Sequence, residues 1–99
     1  MDWEDYRNFV VNRKMTVKEA DDHLFGVMGL MGECGELSEL YKKEYFHGKS
    51  QDYDNLLSEV GDVLFYLTYI MWENGFTLEE VMSYNKEKLE NRNDERYRP

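Results

Sequence analysis

The sequence predicts an all-α chain, and three observations predict it. The one proline is Pro99, so no internal residue forbids a long helix. No stretch alternates apolar and polar residues for long enough to require a strand. Two threonines each stand three residues before a glutamate, Thr16 with Glu19 and Thr77 with Glu80. At that spacing a helix start can satisfy its own free amides.

The elements follow in chain order. Asp2 can cap a first helix over about residues 3–13, and Thr16 opens a second over about 17–46 that Gly48 would close. A third helix spans about 53–73 and stops at Asn74-Gly75; Thr77 opens a fourth over about 78–92. The third is the apolar centre. From Val60 to Trp72 its strongly polar residues are Asp62 and Thr68, so other helices must cover most of its circumference. In the second helix Gly26, Gly29, Gly32 and Gly35 fall at every third position. Each costs roughly 1 kcal/mol against alanine inside a helix. Close approach of another helix or a ligand would compensate; otherwise the helix begins only after about Gly26, with the early glycines in a turn.

Ninety-nine residues, 41% hydrophobic and 15% aromatic, suit a single all-α domain over 1–99. At this length homo-oligomerisation would complete the core, and a homodimer or homotetramer is expected. The balance of 12 basic against 21 acidic residues, net −9, argues against nucleic acid as the main partner. Cys34 is the sole cysteine, so no internal disulfide forms and a reducing compartment is expected. The start, Met1-Asp2-Trp3-Glu4-Asp5, lacks the order of a secretion signal, and no apolar run reaches the ~20 residues of a membrane span. The expectation is a cytoplasmic protein without a membrane partner.

Function is carried by an echo. Glu33-Cys34-Gly35-Glu36 returns as Glu59-Val60-Gly61-Asp62. Carboxylates three apart share a helix face, with β-carbons about 5–6 Å apart. Two such pairs on neighbouring antiparallel helices would bring four anionic groups together, which repel unless a cation joins them. Apolar neighbours, Leu30, Leu37 and Leu40 around the first pair and Val63 to Leu67 after the second, make the need for a partner stronger. Magnesium fits, since it takes oxygen ligands and commonly a few carboxylates plus substrate phosphates. Glu39 continues the first pair, as an outer metal contact or a solvent-facing side chain. Tyr66, one turn after Asp62, is either a nucleotide-pocket wall or a core aromatic.

The fourth helix adds a second pattern. Leu78, Val81 or Met82, Asn85, Leu89 and Arg92 follow one face, so Asn85 stands where an apolar residue is expected, with Lys88 beside it. Asn85, Lys88 and Arg92 could donate to a polyphosphate or a base; alternatively the cations complement the helix C-terminus.

These stretches resemble the MazG-like nucleotide pyrophosphohydrolases: Gly29 through Leu37, the basic pair Lys42-Lys43, Glu59 through Leu67, and Asn85 through Leu89 with Arg92. The resemblance covers about residues 24–98. It implies a four-helix, usually oligomeric, magnesium-dependent enzyme that splits a nucleoside triphosphate into monophosphate and pyrophosphate. By position, Glu33, Glu36, Glu59 and Asp62 would hold metal, and Asn85, Lys88 and Arg92 would contact nucleotide, with Lys42 or Lys43 neutralising further charge. One departure is that Asn91 to Glu95 separate Leu89 from the closing Arg96-Tyr97-Arg98-Pro99, so Arg92 and Arg96 both qualify for the basic role. The implied chemistry is attack of water on the α-phosphorus, with one carboxylate, Glu36 by preference, taking its proton.

Two rivals differ in class. Di-iron bundles need two Glu-x-x-His pairs; this chain has one, Glu44 with His47, against Gly48, and a solitary His23. A non-catalytic helical dimerisation module would use the acidic pairs only for a structural ion or a basic partner. Trp3, Phe9, Trp72 and Tyr66 could stack on a base, but ordinary packing accounts for each.

Overall fold

In the computed structural model the described residues are 1–14, 22–48, 50 and 52–92. They form four helices: α1 (Trp3–Lys14), α2 (Asp22–His47), α3 (Tyr53–Glu73) and α4 (Leu78–Glu90). No strand occurs among the described residues. The all-α expectation holds. The capping box at Thr16, the first predicted turn of the second helix (17–21), Lys49 and the closing segment from Arg96 lie outside the described residues.

The starts follow from side chains that accept free amides. Asp2 accepts from the Asp5 amide at 2.8 Å, and Asp52 from that of Asp54 at 2.9 Å. At α4 the box closes in both directions: the Glu80 amide donates to Thr77 Oγ1 at 3.0 Å and the Thr77 amide to Glu80 Oε1 at 3.1 Å. Gly48 (φ 64°) and Gly75 (φ 75°) turn left-handed after α2 and α3, a conformation glycine adopts without strain. Helix α4 ends at Glu90, two residues earlier than expected: the Asn91 amide makes the last helical bond, to the Glu87 carbonyl at 3.0 Å, and the Arg92 amide turns to the Leu89 carbonyl at 3.3 Å.

Helix α3 is the hub, with α2 lying along one side and α1 along another. Among the described residues, Val10, Thr68, Tyr69 and Met71 are the buried side chains of the core. The Tyr69 ring takes Phe25 edge-on at 5.1 Å and meets Trp72 at 5.8 Å. The Thr68 hydroxyl donates to the Leu64 carbonyl at 2.8 Å, which lets a polar side chain sit there.

The glycine run resolves into two halves. Helix α2 runs through all four, so they do not form a turn. A β-carbon at Gly26 would come within 2.9 Å of Ile70 and 3.1 Å of the Tyr69 ring, and one at Gly29 would enter the Tyr66 ring. These two glycines admit α3. Around Gly32 and Gly35 there is open space.

For α4 the structure corrects an expectation. No residue of this helix is buried; Val81, Met82 and Asn85 are exposed, and Leu78 and Leu89 are only half-buried. An inward stripe needs a helix to face, and none of the described helices lies along α4. Asn85 is therefore not a buried polar group, and that argument for its role lapses.

Candidate metal centre

The acidic pairs converge because Gly26 and Gly29 bring α2 against α3. Glu33 follows Gly29 by one turn on α2; Glu59 and Asp62 lie one turn apart on α3, just before Tyr66. One carboxylate oxygen from each of Glu33, Glu59 and Asp62 lies within 4.8 Å of the other two. Glu33 and Glu59 are half-buried, and the Oε2 atom of each is sealed from solvent with no hydrogen-bond partner among the described residues. Glu36 is exposed and outside that tight trio, yet close enough to act on Glu33 and Glu59 through its charge and by side-chain hydrogen bonding.

The electrostatic strain is visible in Glu33. Burial, then the charges of Asp62 and Glu36, push its carboxyl up to about 7. Glu59 is also raised, first by desolvation and then by Glu36. Two carboxylates in contact have no donor between them, so they can bond only when one of them takes a proton. A divalent cation would serve the same oxygens better than a proton. The donor set is all oxygen, which suits a hard ion such as magnesium, manganese or calcium.

Two phenols flank the acids. Tyr66 of α3 lies in the groove that Gly29 leaves, its ring 5.6 Å from Phe25, and burial with the charges of Glu33 and Asp62 raises its hydroxyl. It is thus an interhelical packing residue that also borders the acids. Tyr6 of α1 was not singled out from sequence; burial and then the charge of Asp62 raise it as well. The spacing Trp3, Tyr6, Val10 was the available signal, since these share one face of α1.

The other sequence candidates lie elsewhere within this chain. Lys42 stands nine residues past Glu33, about half a turn round the helix, and pairs instead with Glu39 at 3.7 Å, both side chains well exposed. Glu39 is therefore engaged with Lys42. Asn85, Lys88 and Arg92 belong to α4 and its end, which does not pack along α2 or α3. Lys88 lines a shallow groove of about 270 Å³ with Tyr84, Glu87 and Asn91. His47 ends α2, against Gly48. Of the stacking candidates, Phe9 and Trp72 are partly exposed, and Trp3 carries the Arg7 guanidinium 5.4 Å above its ring.

No helix of the described residues is long and apolar enough to cross a membrane. No curated protein and no solved structure matches the chain. The family described as the MazG nucleotide pyrophosphohydrolase domain does match, over residues 21–97. That span contains the whole α2–α3 hairpin with its facing acids. The chain belongs to the MazG nucleotide pyrophosphohydrolase family.

Proposed function

We propose that this chain is a magnesium-dependent nucleoside triphosphate pyrophosphohydrolase, releasing a nucleoside monophosphate and pyrophosphate, with nucleotide-pool house-cleaning as its role. The observation that carries the reading is the convergence of Glu33, Glu59 and Asp62 within 4.8 Å in a chain of this family. The donor-free Oε2 atoms of Glu33 and Glu59 fit a cation that takes only oxygen. Glu33, Glu59 and Asp62 would hold it, with Glu36 beside them. Bound there, magnesium supplies charge neutralisation for the polyphosphate and activation of water.

What the chain's own residues do follows from their placement. The acids fix the site between two rigid helices, and Tyr66, seated against Gly29, keeps that spacing. Water adds to the α-phosphorus while the bond to the bridging oxygen breaks, so pyrophosphate carries away the electron pair. Glu36, exposed at the edge of the tight trio, is the carboxylate assigned to accept the water's proton. Asn85, Lys88 and Arg92 contact nucleotide. Because α4 stands off the hairpin within one chain, that contact requires a second copy, and the working form is a homo-oligomer in the cytoplasm.

The test is direct. Incubation with a panel of ribo- and deoxynucleoside triphosphates and magnesium should release pyrophosphate from at least one of them. Absence of release from all would leave the non-catalytic helical module as the better reading.

A further inference from the structure

A third helix reaches the acidic site. Helix α1 packs along α3, and its inward face is anchored. Val10 is wholly buried, and Trp3 Nε1 is sealed from solvent with no hydrogen-bond partner among the described residues. Tyr6 lies between these two on the same face, half-buried and about one turn from each. Phe9 stands beside it, the ring centroids 6.0 Å apart. The phenol is therefore held in a packed interface, and its free end comes near α3 at the level of Asp62. Burial first, and then the charge of Asp62, raise its hydroxyl above the ordinary value, so it stays protonated at neutral pH.

The acids need such a neighbour. Every charge that acts on Glu33 and Glu59 is another carboxylate. A carboxylate that must offer one oxygen to an ion is steadied when a donor holds the other. Lysine or arginine would do so only by setting a second positive charge against the ion. A phenol donates one proton and adds no charge. Tyr66 has its ring committed to the space over Gly29 and borders Glu33 and Asp62 together, whereas Tyr6 answers to Asp62 alone. Helix α1 also precedes the span of the family match, residues 21–97, so the match assigns Tyr6 no role.

We propose that Tyr6 is a positioning residue for the metal centre: from α1 its hydroxyl donates to the Asp62 carboxylate and fixes which oxygen that acid presents to the ion. The inference rests on the reading of the acids as a magnesium site. Magnesium chloride titrated calorimetrically into the metal-free full chain tests it without reference to turnover. Tyr6→Phe keeps the ring and removes the donor; it should retain wild-type helicity and melting while binding magnesium about tenfold more weakly. In turnover, the magnesium concentration giving half the maximal rate should rise by the same factor, with kcat kept at saturating magnesium. Val10→Ala loosens the same interface without touching the hydroxyl, and should melt lower yet bind magnesium as wild type does. Unchanged affinity in Tyr6→Phe would overturn the assignment. So would an equal weakening in Val10→Ala, which would reduce α1 to packing, or a lost kcat at unchanged affinity, which would put the hydroxyl on substrate instead. A wild-type chain that binds no magnesium would overturn the metal reading and this inference together.

Discussion

At neutral pH the carboxyl of Glu33 sits near its midpoint, and this has a sign that can be followed. Its value of about 7 lies above the ordinary 4.5, so the metal-free folded chain keeps a proton that the unfolded chain has lost across that window. The contribution of this group to stability therefore falls as pH rises from about 4.5 to about 7, and a divalent ion reverses the trend. Metal binding must displace the same proton. Affinity for magnesium measured by calorimetry should weaken roughly tenfold per pH unit below 7. Asp62→Asn removes one of the charges pressing on Glu33. We expect magnesium-dependent turnover to fall by about 10²-fold or more, while the metal-free protein melts no lower than wild type. Of this site, the duplicated acids were legible because each pair is carried by its own four-residue motif. Tyr6 was not, because a short amphipathic helix names its own buried face without naming the helix it will meet.

Among the elements, capping explains why the boundaries of α3 and α4 could be read closely. Thr77 and Glu80 satisfy each other's amides at a helix along which none of the other described helices packs. Local bonding thus carries more of the stability of α4 than packing does. Thr77→Ala should cost about 1 kcal/mol, expressed as fraying of α4 in hydrogen exchange, with α2 and α3 unaffected. The stripe of α4 was legible as a pattern, but the pattern states only that something apolar should face it. In α2 the glycine spacing was legible as well, whereas its division into two packed and two open positions depends on where the rings of α3 fall.

For the molecule as a whole, the informative fact is how little it hides. Among the described residues, the core holds Val10, Thr68, Tyr69 and Met71, while Leu57, Val60, Leu64 and Leu67 leave an apolar row of α3 exposed. A chain that sheds so little apolar surface from water gains little by folding alone. Stability should therefore depend on association, and the melting temperature should climb by several degrees as protein concentration is raised a hundredfold. Composition signalled the need for partners; which faces they cover depends on angles around each helix axis.

The ring of Tyr66 occupies the place where residue 29 has no side chain, so positions 29 and 66 share one volume. In a library randomised at both sites, surviving pairs should show sizes that trade off against each other, bulk at one demanding thinness at the other. Because the acids follow directly on both helices, such exchanges would also widen or narrow the gap between them, making ion preference an inherited by-product of interior carpentry.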